Sequence, residues 1–492
     1  MPILPALTAA VIAAAPGPAV SPGWPVLGPG ALAPGNPGTA LVVAGSGGRV
    51  VAASVLSGEL GEDAAGAWSG RGVRRWAVAS PSQCGNCDGS VAPSQGGDGT
   101  VAMGVLSGGI FGVTTAGTLT EGCAGTLGPD ADCYGRVFPG DGLVALHRGA
   151  VWTFADPALT DADGFRAPIA VFDDARAFMS LGGRLWVLDR ATGALRWGRP
   201  APEAGPVVTP DGTVVLGDGG SVAGHDPATG ALRWSVPTGG TRVTSLVLDA
   251  RRSRVLAGVE GPASAGVRRH RVEAVGQAGA LTPVAVSPVP LRPLGATPDG
   301  TVLVGREAGA GVREAALVAI GPSGRPRWAL RAAHGASQTI PAPYIAPNGT
   351  VFAGLGPLLY RLPGGAATAP GRRSRVLMSA ARFRITGAGR PAAPQTCAAD
   401  GSCTPRTPLG AVAQLRLPAG TPRQLAPMRI TDGRGREVWR ANADIAPGVT
   451  DVPITYGYPA TLRTGPAVVS VRWRDRRGVT RRLAVPVSLV RG

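Results

Sequence analysis

Asp156, Asp161 and Asp163 crowd one short stretch ahead of Gly164, the carboxylate density and glycine turn that a calcium ion favours. The full Asp-x-Asp-x-Asp-Gly spacing is missing, so a solvated loop fits the same residues. Six cysteines fall into three local pairs: Cys84 with Cys87, Cys123 with Cys133, and Cys397 with Cys403. In an exported chain such pairs favour disulfides. The rival is a zinc thiolate site from the first four, of which only the Cys84/Cys87 half has knuckle spacing. A redox role for Cys84-Gly-Asn-Cys87 would need a helix start to lower the thiol pKa, and this stretch reads as loop. His147, His225, His270 and His334 are scattered without metal-ligand spacing, and no Gly-x-Ser-x-Gly elbow occurs. All 48 basic residues are arginine, which removes every mechanism built on a lysine. These residues supply no catalytic constellation, and no cofactor is expected.

The elements that position such residues announce themselves by repetition. Asp189-Arg-Ala-Thr-Gly-Ala-Leu-Arg-Trp197 and Asp226-Pro-Ala-Thr-Gly-Ala-Leu-Arg-Trp234 recur at a spacing near that of one four-stranded propeller blade. Asp189, Thr192, Asp226 and Thr229 offer side-chain oxygens to a tight turn, and Gly193 and Gly230 supply the positive φ that closes it. Trp197 and Trp234 on the following strand fill the gap between blades. A degenerate third copy ends at Trp328, with Gly321 in place of the Asp and a turn one residue shorter. The pattern resembles the repeat of the PQQ-like, quinoprotein-type β-propellers. That resemblance implies a ring of four-stranded blades and includes an envelope-assembly scaffold. Quinone enzymes of this type also need an Asp base, a calcium site and often adjacent cysteines, and this sequence has no Cys-Cys pair. It looks like a non-enzymatic member.

A second marker extends the count. Pro210-Asp-Gly-Thr-Val214, Pro298-Asp-Gly-Thr-Val302 and Pro347-Asn-Gly-Thr-Val351 should each open an inner strand, with looser versions at Asp98, Asp141, Asp174, Asp249 and 36–39. The expectation is an all-β fold: a seven- or eight-bladed propeller over 20–370, then an immunoglobulin-like β-sandwich over 371–492. Expected sandwich strands are 376–385, 413–417, 428–431, 437–440, 467–474 and 482–490. Residues 1–19, apolar and then small, read as a secretory signal, although no basic residue precedes the apolar stretch.

Charge separates the two regions. From residue 371 onward there are 21 Arg against 6 acids, whereas residues 1–370 carry 27 against 25. Strand alternation turns Val469, Val471 and Trp473 inward and sets Arg472 and Arg474, with Arg482 beside them, on the opposite face. The whole reads as a secreted or envelope-bound binding scaffold, its basic domain meeting an anionic polymer. Solvation of that arginine face is the plain rival. A quinone- or calcium-dependent dehydrogenase or carbohydrate-active enzyme is the alternative function. Aromatic residues, at 5% of the chain, are too few for a base-stacking surface, so sequence-specific nucleic acid is not an expected partner.

Overall fold

The computed structural model describes residues 18–21, 25–27, 41–46, 49–54, 63–71, 74–79, 90–95, 101–105, 109–113, 137–138, 142–147, 150–154, 169–172, 176–181, 183–189, 194–264, 267–276, 279–307, 315–331, 340–355, 358–362, 375–378, 410–418, 420–455 and 465–489. Short β-branched runs broken by Gly-rich turns form antiparallel hairpins rather than helices, because no run sustains a helical period. Among the described residues, eight sheets of three or four strands follow one another up to residue 362. The fold is a β-propeller.

Each sheet is built from chain neighbours, as in Ala204–Val208, Val214–Asp218, Ser221–His225 and Leu232–Pro237. The first strands of successive sheets, Ala204–Val208, Arg242–Asp249 and Leu291–Ala296, lie against one another and face the axis. The core runs between sheets rather than inside one. Phe178, Leu185 and Val187 of one sheet meet Val214 and Leu216 of the next. Leu256, Val272 and Ala274 meet Val302, Val304 and Val318 one sheet further on. Burying each such side chain contributes roughly 1.5–3 kcal/mol. The last sheet is completed by the first described strand: Val26–Leu27 pairs antiparallel with Leu358–Leu362, Val26 opposite Leu359.

The second marker opens the second strand of its sheet at Val214, Val302 and Val351, and its looser forms do so at Val101, Gly142, Arg176 and Arg254. The first sheet departs from this rule. There the second strand opens at Arg49, and 36–39 lies outside the described residues, ahead of the first strand.

Beyond residue 370 two further sheets face each other. One holds Arg375–Met378, Gly410–Leu417 and Gly448–Thr455; the other holds Glu437–Ile445, Gln424–Asp432, Gly465–Arg474 and Thr480–Leu489. Ala413, Leu415 and Val452 from the first meet Met428, Ile430, Ile445, Val469, Val471 and Trp473 from the second in one core. The strand at Gly448–Thr455 has weak apolar alternation, so the sequence pattern does not reveal it. Of the expected strand over 376–385, residues 376–378 are paired, the strand opening one residue earlier at Arg375, and the rest lies outside the described residues. Among the described residues no helix is long and apolar enough to cross a membrane.

Candidate functional site

The two turn types of the propeller set Asp189, Asp211, Asp226 and Asp299 on one rim, and hydrogen bonds show what those acids do. In the turn at Asp211, Thr209 Oγ1 donates to one carboxylate oxygen and Thr213 Oγ1 donates to the other at 3.0 Å. Thr209 N donates to Thr213 O at 3.0 Å, and Gly212 N to Thr209 O at 2.8 Å. The donated hydroxyls, Thr209 first, hold the Asp211 carboxyl below its usual range despite some burial. The turn at Asp299 repeats the arrangement with Thr297 and Thr301. At Asn348 the preceding Thr is Ala346, and the side-chain contact shrinks to Thr350 N donating to Asn348 Oδ1 at 3.0 Å.

The repeat turn works in the same way. Asp226 Oδ1 accepts from Ala228 N, Thr229 N and Thr229 Oγ1, each at 3.0 Å, and Gly230 closes the turn at φ +74°. Asp226 Oδ2 accepts from Arg233 Nη2 at 2.7 Å, the leading reason its carboxyl is lowered to about 2. Asp189 likewise accepts from Arg196 at 2.5 Å. Thr192 and Gly193 lie outside the described residues. Where Gly321 replaces the Asp, Arg327 has no such partner and turns to the other turn type, placing Nη1 2.5 Å from both Asp299 Oδ2 and Thr301 Oγ1. One arginine position therefore serves two carboxylates, according to which is present.

The three tryptophans differ in surroundings. Trp328 is fully buried between two sheets, among Leu303, Leu317 and Val351. Trp197 is half-buried; its Nε1 donates to Pro227 O of the next sheet at 3.2 Å, and a Cβ on Gly230 would fall 2.8 Å from its ring. Trp234 instead lies over Gly224 of its own sheet, where a Cβ would fall 2.2 Å from the indole. The preceding sheet has Val187 at that cross-strand position.

His225, which stands where the other repeat has Leu188, is buried. Arg199 Nη1 lies 2.6 Å from its Nε2, and Arg only donates, so Nε2 accepts and the Nδ1–H points to Gly230 O at 3.0 Å. Arg199 also bonds Asp218 at 3.1 Å. Burial lowers the imidazole pKa, and Arg199 adds to the effect. Sequence reading singled out the position but missed this contact, since Arg199 belongs to the preceding sheet.

A family model described as outer membrane protein assembly factor BamB, of the PQQ-like type, matches residues 141–275. This chain carries PQQ-like propeller repeats. The match covers the two full repeat copies and ends at Val275. No curated protein matches the chain. Among solved structures, the chain is similar to the computationally designed Ika8 protein, at 16% identity over 66% of this chain and 96% of that one, TM-score 0.44. It is similar to the WD40 β-propeller domain of Doa1 at 10% identity over 66% and 92%, TM-score 0.38. The extracellular domain of a putative hybrid two component system from B. thetaiotaomicron is similar at 8% identity over 92% of this chain and 55% of that one, TM-score 0.41.

The other candidate residues of the sequence fall unevenly. Asp156, Asp161 and Asp163 lie outside the described residues, as do Cys84, Cys87, Cys123, Cys133, Cys397 and Cys403. Among the described residues no three His, Cys, Asp or Glu side chains converge. In the C-terminal sheets, Arg472, Arg474 and Arg482 are exposed while Val469, Val471 and Trp473 are buried. Arg472 stands directly opposite Arg482 in the register. Ser470, on the arginine side of its strand, is itself covered and lies opposite Arg429.

Proposed function

We propose that the protein is an exported, non-catalytic PQQ-like propeller that holds a protein partner, with an arginine-faced sandwich that docks on an anionic envelope polymer. In this reading the eight sheets are eight blades within 20–370, residues 371–492 form an immunoglobulin-like sandwich, and the six cysteines are oxidised in their local pairs. The observation that carries the docking half is the charge left over on the outer sheet face. Arg429 and Arg440 share Glu437 at 3.2 and 2.7 Å, and Arg423 pairs with Asp444. Arg472, Arg474 and Arg482 have no ion pair among the described residues. Three uncompensated guanidinium groups on two adjacent strands suit a repeating anion. The scaffold half is supported by the rim acids: Asp189, Asp211, Asp226 and Asp299 are each engaged within the propeller's own turns.

Retention of the full chain on an immobilised acidic polysaccharide tests the docking reading. Binding at low ionic strength, release as the Debye length shrinks toward ~3 Å near 1 M salt, and loss in an Arg472→Gln, Arg474→Gln, Arg482→Gln variant are expected. Retention that is absent at low salt, or unchanged in that variant, overturns it.

A further inference from the structure

The sheet that carries Arg472 and Arg482 ends on a long open edge. Its order is Glu437–Ile445, Gln424–Asp432, Gly465–Arg474 and Thr480–Leu489, so the last strand has a neighbour on one side only among the described residues. That strand is ten residues long, where the outer strands Leu195–Pro200 and Leu232–Pro237 of the propeller have six each. Edge strands are usually kept short, because a row of unpaired N–H and C=O groups is a template for another chain.

The ladder fixes which backbone groups face the edge. The hairpin joining the last two strands closes with Asp475 N donating to Val479 O at 2.9 Å. In an antiparallel pair, hydrogen-bonded and non-hydrogen-bonded positions alternate, and at the latter both residues turn their N–H and C=O away from each other. Arg474/Thr480, Arg472/Arg482 and Ser470/Ala484 are therefore the non-hydrogen-bonded pairs. Gln424 shows the same thing independently. Its Oε1 accepts from Arg474 N at 2.9 Å and its Nε2 donates to Arg474 O at 2.7 Å, so both backbone groups of Arg474 point away from Thr480. By the same alternation Thr480, Arg482 and Ala484 aim their own N–H and C=O out of the sheet. On the inner side a carboxamide stands in for a strand; on the outer side nothing among the described residues does.

Side chains restrict what could fill that edge. Arg482 and its cross-strand neighbour Arg472 are exposed on the outer face, with exposed Thr480 and Ala484 on the same side. On the inner face Leu483 packs against the buried core and Val485 stands opposite buried Val469, both half-buried at the margin of the sheet. Arg481, also inward, is paired with Asp475 at 2.9 Å. We infer that this edge accepts an extended segment of a protein partner, in which an acidic residue set opposite Arg482 alternates with apolar residues set beside Leu483 and Val485. Strand addition draws affinity from main-chain hydrogen bonds and specificity from alternate side chains. Charge selects the occupant. A second copy would bring its own Arg481 and Arg482 to the same edge, and like charges across a strand pair are destabilising. Polymer docking asks only for the guanidinium charges; strand addition asks for the backbone as well.

The probe is a blocked, dye-labelled peptide, Val-Thr-Val-Glu-Val-Thr-Val, whose symmetry serves either strand direction, titrated into the full chain and read by fluorescence anisotropy. Saturable binding is expected, with hydrogen exchange slowed at the amides of Thr480, Arg482 and Ala484. Ala484→Pro removes one outward N–H and no ladder bond, a placement that edge strands tolerate. It should weaken the peptide on the order of tenfold, the worth of about one main-chain hydrogen bond. Arg482→Gln should weaken it by a similar factor, and the same peptide with every backbone amide N-methylated should not bind. No saturable binding up to ~1 mM peptide, equal binding of the N-methylated peptide, or affinity unchanged in Ala484→Pro overturns the inference. Retention on acidic polysaccharide depends on charge and should be unchanged in Ala484→Pro, so the two readings fall separately.

Discussion

Arginine has opposite employment in the two regions of the molecule. In the propeller it fastens turns: Arg196, Arg233, Arg254 and Arg327 each reach a carboxylate that shapes a neighbouring turn. In the C-terminal sheets two turns are fastened the same way, Asp432 by Arg436 at 3.0 Å and Asp475 by Arg481 at 2.9 Å, with Gly435 and Gly478 both at φ +76°. Arg472, Arg474 and Arg482 have no ion pair among the described residues, and Arg472 and Arg482 face each other across adjacent strands. Net charge alone would miss this distinction. Position relative to a turn decides whether a guanidinium is structural or available.

The comparison breaks most sharply at Arg254. Its partner Asp249 is 4% exposed, so Arg254→Ala leaves a buried carboxylate without its counter-charge and should destabilise the propeller by ~3 kcal/mol, read from denaturant midpoints. Arg472→Ala should cost nothing measurable in the same assay, and a comparable loss there would erase the contrast.

A smaller effect is expected from pH. Burial depresses the His225 pKa in the fold, so the neutral ring's contribution is complete above the unfolded value of ~6.5 and lost as pH falls through the folded value. Arg199, Asp218 and the Gly230 carbonyl are the groups that face it. Stability measured from pH 8 to 5 should fall on the acid side, and His225→Leu should flatten that limb. An unchanged slope in the variant would assign the acid loss elsewhere.

Smaller still, Arg482→Glu should turn a like-charge cross-strand pair into an attractive one and gain ~0.2–1 kcal/mol, with weaker retention on acidic polymer. Destabilisation instead would mean that the arginine face is held by contacts rather than merely tolerated. The least change is expected from Gly321→Asp, which restores the missing repeat carboxylate. It should draw Arg327 from Asp299 with a shift of only a few tenths of a kcal/mol, and a crystal structure of the variant would show which carboxylate the guanidinium chooses.

The propeller was legible because its turns repeat in letters. Asp, Gly and Thr at fixed offsets are what those turns bond with, although Thr209 and Thr297, which precede the marker, contribute as much and escaped notice. The strands of the arginine face were legible from alternation, since Val469, Val471 and Trp473 must turn away from Arg472 and Arg474. The contact between Arg199 and His225 was not, because Arg199 belongs to the sheet before that of His225. Packing between sheets is set by which residues meet across a junction, and that pairing is not written in either segment alone.

Pairing Val26 with Leu359 gives the ring a latch made from residues more than three hundred positions apart. A chain emerging N-terminus first must hold that strand in reserve while every intervening sheet is made, and the last sheet gains its outer edge only when it comes home. Completing that sheet therefore requires both ends of the propeller segment. A clip that removed residues 18–27 would leave Leu358–Leu362 as a bare edge, open to capture by a strand from another molecule.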